Sequence, residues 1–433
     1  MPFSRATRNR AGARAPSPHF SKEIRPGLNR VIRALDLLGH PEESFASLLV
    51  AGTNGKGSVC AMVASSLREA GYRTGLYTSP HLIHPRERVC VNGTPVSSHD
   101  WTWAASRVAE VSRKNKLALT EFEAQTLVGF LVFERAGVDL AVLEVGLGGR
   151  LDAVNAVAAP ELCVITSIGL DHTEWLGPTV RHVYLEKRGI ARRGTPLLQD
   201  LPSSLHRESQ RFAAVSGVPS WTLGRHVLFK VLSENTKPLG QTIRVQLEGG
   251  SWGEVTVPFW GMHQARNGAL AFAALELLDR QGWRLGKRAI QEGIARAQWP
   301  GRFDVVRTCP PVVLDGAHNP AAVRELVNAW KSSPWGQQRA TLIFSCLKDK
   351  DVKSMAKALS SIVRRVIVTP LVSDRARPLE DLVRVWKNFC PTESATSFRE
   401  AWRKVSPDSG SPVLVTGSLY LVGEALKKLG RKK

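Results

Sequence analysis

The chain has 433 residues, 43% hydrophobic and 22% charged, with a formal net charge of +21. That length exceeds what one hydrophobic core usually serves, so two domains of an ordinary globular enzyme are expected. No window approaches the ~18 uninterrupted apolar residues of a spanning helix, which excludes a helical membrane anchor.

Six scattered cysteines (Cys60, Cys90, Cys163, Cys309, Cys346, Cys390) form no CxxC pair. This argues against a zinc cage or disulfide framework and fits a reducing, cytoplasmic setting. At the N-terminus, Arg5, Arg8, Arg10, Arg14 and Lys22 precede the first acid, Glu23. Pro16, Pro18 and Gly12 spoil a transit-type amphipathic helix there, so residues 1–23 are expected to be a basic, disordered tail. Lys427, Lys428, Arg431, Lys432 and Lys433 make the other end basic too. Such a balance is compatible with nucleic-acid binding, with an anionic small-molecule site, or with a basic surface alone.

Ordered structure is expected from Ile24, where Leu28, Val31, Ile32, Leu35 and Leu38 recur at helical spacing. Strand-like runs follow at 47–50, 140–145 and 162–166. Between them lie helical patterns, Val59, Met62, Val63, Leu67 stopped by Gly71, and Phe122, Thr126, Phe130, Phe133 stopped by Gly137. Apolar strands alternating with amphipathic helices predict an α/β, doubly wound, mostly parallel sheet. Short alternating runs at 226–231, 242–247 and 254–257 predict a small antiparallel β appendage, followed by a helix over 264–280. Trp299-Pro300-Gly301 interrupts the pattern, and strands at 311–314, 340–344, 365–368 and 412–415 predict a smaller, Rossmann-like C-terminal domain. The expected division is 24–298 and 299–433.

The segment Thr53-Asn54-Gly55-Lys56-Gly57-Ser58 falls between a strand and a helix, where glycines let backbone N–H groups wrap phosphates. Lys56 supplies charge for the outer phosphates and Ser58 a hydroxyl for Mg²⁺. The loop departs from GxxxxGK[ST], since Gly57 separates Lys56 from Ser58. Glu144 ends one strand, and Asp171 with His172 follows another, positions at which parallel sheets gather ligands. Composition alone supports a triphosphate site with metal-type neighbours and leaves the reaction open.

These motifs, in this order, resemble the folylpolyglutamate synthase and dihydrofolate synthase family, a branch of the Mur ligase superfamily. The matching stretches are AGTNGKGS (51–58), YTSPHL (77–82), ERVCVNG (87–93), LTEFEAQTL (119–127), LEVGLGGRLDAVN (143–155), TSIGLDHTEWLG (166–177), EKRGI (186–190), PGRFD (300–304), DGAHNP (315–320) and VLVTGS (413–418). The resemblance implies an ATP- and Mg²⁺-dependent ligase joining L-glutamate to dihydropteroate or a reduced folate through an acyl phosphate. It implies Thr53 to Ser58, Asn267, Arg302 and Asp315 as ATP contacts, and Ser79, Glu144 and His172 as metal ligands. Lys187 matches a lysine carried as a carbamate in relatives; a solvent lysine beside Arg188 is the alternative. Lys56, Lys187 and His318 would be the catalytic set, His318 being otherwise a turn histidine. Thr120, Glu121, Phe122, Glu123, Leu151, Asp152 and Ala153 resemble pterin-binding segments, although Thr120 and Glu123 also spell a helix capping box. A monomer acting on small molecules, with no nucleic-acid or membrane partner, is expected. A peptidoglycan Mur ligase and a nucleic-acid-dependent ATPase are the competing readings.

Overall fold

The structure, a computed structural model, describes residues 20–405 and 410–430. Most of the expected basic tail and the last three basic residues lie outside them. Residues 20–23 do not behave as tail. Ser21 bridges Thr120 and its carbonyl accepts from Glu121 N at 2.8 Å, while Phe20 packs on the core. One apolar ring and one backbone pairing outweigh the local basic composition.

The first sheet contains, in chain order, Ala46–Ala51 (β1), Thr74–Tyr77 (β2), Val89–Val91 (β3), Thr94–Pro95 (β4), Leu140–Glu144 (β5), Leu162–Ile165 (β6), Leu197–Gln199 (β7) and Ser220–Thr222 (β8). Their order is β4-β3-β2-β5-β1-β6-β7-β8; β2, β5, β1, β6, β7 and β8 run parallel, and β3 pairs antiparallel with both β2 and β4 at one edge. Strand β1 explains why the apolar runs are continuous. Leu49 and Ala51 face a core with the helix Glu121–Ala136, while Leu48 and Val50 face one with the helices Lys56–Glu69 and Met262–Arg280. Both faces of a parallel sheet are covered, so alternation disappears from the sequence.

The expected appendage is a three-stranded antiparallel sheet of Val227–Thr236 (β9), Leu239–Leu247 (β10) and Gly253–Val257 (β11). Ile243, Val245, Val255 and Val257 turn inward against Ala269 and Phe272 of the helix Met262–Arg280. A third, six-stranded sheet comprises Asp304–Thr308 (β12), Pro311–Leu314 (β13), Ala340–Phe344 (β14), Val363–Val368 (β15), Thr392–Ser394 (β16) and Val413–Thr416 (β17). It runs β12-β13-β17-β14-β15-β16, parallel except for the β12–β13 hairpin, and buries apolar clusters on both faces. Among the described residues no helix is long and apolar enough to cross a membrane.

Candidate active site

Strand β1 delivers the glycine loop, and the helix Lys56–Glu69 leaves it. Its N-cap, Gly55, has φ 90° and offers no side-chain cap, so the first helical N–H groups remain available to an anion. Two glycines are required by close approach. A Cβ on Gly55 would run into the Asn267 amide, and one on Gly57 would lie 2.5 Å from the Trp299 ring. The loop is anchored from β6: Thr53 N donates to Ser167 O at 2.8 Å and Thr166 Oγ1 to Asn54 O at 2.7 Å. The Ser58 hydroxyl is buried with no protein partner.

Around this loop the carboxyl ends of β2, β5 and β6 bring Ser79, Glu144 and His172. Glu144 accepts from Ser79 N at 3.1 Å and stands 4.0 Å from Lys56 Nζ. Burial raises its pKa, opposed by Lys56. Lys187, from the helix Val180–Arg188, reaches in and donates to Gly52 O at 2.8 Å. Burial, reinforced by the Lys56 charge, pushes its ammonium down to about 7. It is therefore no solvent lysine. His172 has φ 50° and a buried Nδ1 without a protein partner; burial lowers it to about 4, so the ring is neutral near neutrality.

The third sheet closes the site. Asp315, at the end of β13, accepts from Phe303 N and Ala317 N, both at 2.8 Å. Its burial, which raises its pKa, is opposed by Arg302. His318 Nδ1 lies 2.8 Å from Gly316 O, and burial lowers its pKa. Asn319 caps the helix Pro320–Ser332, accepting from Ala322 N at 2.8 Å. Its amide also donates to Asn54 Oδ1 at 3.1 Å and to Asp171 Oδ2 at 3.0 Å. Thr53 to Ser58, Ser79, Glu144, His172, Lys187, Asn267, Arg302, Asp315 and His318 thus all line one cavity of about 380 Å³.

Some participants escaped the sequence reading. Lys350, buried after β14, pairs with Asp171 at 2.7 Å across the two large sheets. Asp171 is buried, which disfavours its charge, but His172, His318 and Lys350 hold its carboxyl well below the usual range. Asp200 follows β7 and forms an ion pair with Arg266. The rule that flagged Glu144 applies equally to Asp200, but β7 is only three residues long and gives no periodic signal. His263 and Glu325 also line the cavity, and neither carries a local motif.

The segments matched to pterin binding do not line this cavity. Thr120 and Glu123 form the reciprocal capping box, Glu123 also holding Arg30 at 2.7 Å. Phe122 packs where a Cβ on Gly146 would stand, 2.5 Å from the ring. Asp152 accepts from Leu147 N at 2.8 Å and Val154 N at 3.0 Å, and burial raises it to about 6. Phe122 and Asp152 thus pack behind the Gly146–Gly148 turn, which itself lines the cavity.

With this geometry in place, similarity to known proteins is informative. Residues 50–275 match the family described as Mur ligase middle domain, and 301–419 the Mur ligase, glutamate ligase domain. The dihydrofolate synthase/folylpolyglutamate synthase of Bacillus subtilis is 35% identical over 427 residues, covering 94% of this chain and 95% of that protein. The Escherichia coli protein of the same description is 34% identical, covering 95% and 93%. Among solved structures, E. coli FolC in complex with DHPP and ADP superposes with TM-score 0.85 at 33% identity, covering 94% of each chain. The Yersinia pestis bifunctional folylpolyglutamate synthase/dihydrofolate synthase complexed with AMPPNP and Mn ion gives 0.81 at 31%, covering 95% of each.

Proposed function

The chain belongs to the folylpolyglutamate synthase/dihydrofolate synthase family of Mur-type, ATP-dependent ligases, and from that premise we propose that it joins L-glutamate to dihydropteroate, to reduced folates, or to both. The observation that carries this reading is the meeting of the phosphate loop, Lys56, Glu144, His172 and Lys187 with Asn267, Arg302, Asp315 and His318 in one cavity. On this reading residues 24–298 present the phosphates and 299–433 close over the nucleotide.

In the proposed reaction an acceptor carboxylate oxygen attacks the γ-phosphorus of ATP, the bond to ADP breaks, and an acyl phosphate forms. The glutamate amine then attacks the acyl carbon, loses a proton, and phosphate leaves. Charge accumulates on phosphoryl and tetrahedral oxygens, so Lys56, Arg302 and the loop N–H groups are the natural stabilisers. With its Nδ1 facing the Gly316 carbonyl, the neutral His318 ring presents Nε2 as the acceptor for the amine proton.

The residues fit a small divalent cation: Glu144 is a buried carboxylate, and Ser58 Oγ and His172 Nδ1 are buried without protein partners. Ser79, Glu144, His172 and Lys187 as its carbamate would hold Mg²⁺, which supplies charge neutralisation at the phosphates. We assign the pterin to the Thr120–Glu123 and Leu151–Ala153 wall, Phe122 being its aromatic contact.

ADP release should require glutamate together with dihydropteroate or tetrahydrofolate, assayed separately with ATP and Mg²⁺. Turnover with neither acceptor would end the folate assignment. Turnover with one alone would remove only the bifunctional part.

A further inference from the structure

Lys350 reaches Asp171 across the two large sheets from the loop 345–351, which follows β14 and has no helix or strand of its own. What fixes that loop is a second one, 369–378, between β15 and the helix Leu379–Trp386. Leu347 and Ala376 form an antiparallel bridge. Beside it Lys348 N donates to Arg375 O at 2.9 Å, and Arg377 N to Cys346 O at 3.0 Å. The Arg377 side chain completes the clasp. Its Nη2 donates to Lys348 O at 2.6 Å and to Lys350 O at 2.8 Å. The second carbonyl belongs to the very residue whose ammonium meets Asp171. Meanwhile the Arg377 Nε is buried with no hydrogen-bond partner. A guanidinium free to turn toward water would satisfy that N–H, so the two carbonyls hold the side chain against an opposing loss.

We propose that Arg377 is a positioning residue for the ligation, acting through Lys350 by fixing the backbone from which its ammonium reaches Asp171; this rests on the ligase reading above. Asp171 is a point where the two halves meet. Its Oδ1 accepts from Lys350 at 2.7 Å, and its Oδ2 accepts from the Asn319 amide at 3.0 Å. The same Oδ2 lies 3.8 Å from His318 Nε2. A shift of the 345–351 loop by about 1 Å is enough to break the Lys350 hydrogen bond. It would release the carboxylate that stands between the glycine-loop side and His318, and misplacement on that scale is felt in turnover. Arg377 touches no cavity residue itself, so its effect passes through the loop it holds.

The test is kcat for the wild type, Arg377→Met, Lys350→Met and the double variant, with iodoacetamide labelling of each cysteine read by mass spectrometry. Arg377→Met should lower kcat by about tenfold. Added to Lys350→Met, it should lower kcat by less than about twofold more, because nothing is left for it to position. Cys346 is fully buried beside the clasp and should label about tenfold faster in Arg377→Met. Cys60 and Cys163, buried in the first domain, should stay protected, which separates a loosened loop from an unfolded chain. If they do not, the same measurements on Arg377→Lys decide, with a loss of at least about threefold in kcat expected. Losses that multiply in the double variant, or an Arg377→Met kcat within about twofold of wild type, would overturn this inference and leave the ligase reading standing. Wild-type protein without turnover on either acceptor would sink the ligase reading and this role with it.

Discussion

Lys187 illustrates how burial changes what a side chain can do. In water a lysine amine is protonated and inert toward CO₂. Here burial and the Lys56 charge bring it to about 7, so a substantial part is free amine near neutrality. Free amine can add to CO₂ with release of a proton, which would turn a cation beside the glycine loop into a carboxylate able to bind metal, as proposed above. The sign follows directly: the reactive form grows as pH rises through the depressed pKa. At fixed dissolved CO₂, labelled with ¹³C, NMR should detect a carbamate carbon that strengthens from about pH 6 to about pH 8. The signal should vanish in Lys187→Met. A wild-type spectrum without it would leave Lys187 as a bare amine donating to Gly52. The sequence offered Lys187 only through the motif EKRGI; nothing local distinguishes it from the exposed lysines of this basic chain.

At the scale of elements, the helix Pro320–Ser332 is held by its first residues. An Asn-Pro pair at a helix start, here Asn319 as N-cap and Pro320 at the first helical position, is legible in any sequence, because capping is a local contest for unpaired N–H groups. That the same Asn319 amide reaches Asn54 and Asp171 was not, since those contacts span 265 and 148 residues of sequence. Asn319→Ala should therefore cost about 2 kcal/mol, one part from the cap and one from the lost contacts, by urea unfolding. A loss below about 0.5 kcal/mol would mean that other groups cap the helix equally well. The long helices and apolar strands were likewise readable from period and length. Strands β2, β7 and β8 (TGLY, LLQ, SWT) were not: unlike the equally short but apolar β6 and β13, they carry no sustained apolar run and owe their conformation to the neighbouring strands.

Across the whole molecule, the Lys350–Asp171 pair ties the two large sheets beside the cavity. Both side chains are nearly buried, 5% and 11% exposed, so removing Lys350, which also pairs with Asp349 at 3.2 Å, leaves the Asp171 carboxylate buried without its cation. Lys350→Met should destabilise the chain by about 3 kcal/mol in chemical denaturation. The double variant Lys350→Met with Asp171→Asn should recover part of that loss; strictly additive losses would show that the two groups are not coupled. The sequence by itself determined the α/β class, the glycine loop between strand and helix, the appendage and the family, because strand and helix periods, glycine turns and ordered motifs are encoded in neighbouring residues. Only the tertiary structure decided that Lys350 pairs with Asp171, that His263 keeps an unpaired buried nitrogen, and that Phe122 packs behind the Gly146 turn of the cavity wall. An ion pair, an orphaned atom and a cavity boundary depend on distance and exclusion of water, and residues far apart in the chain acquire both only when the sheets come together.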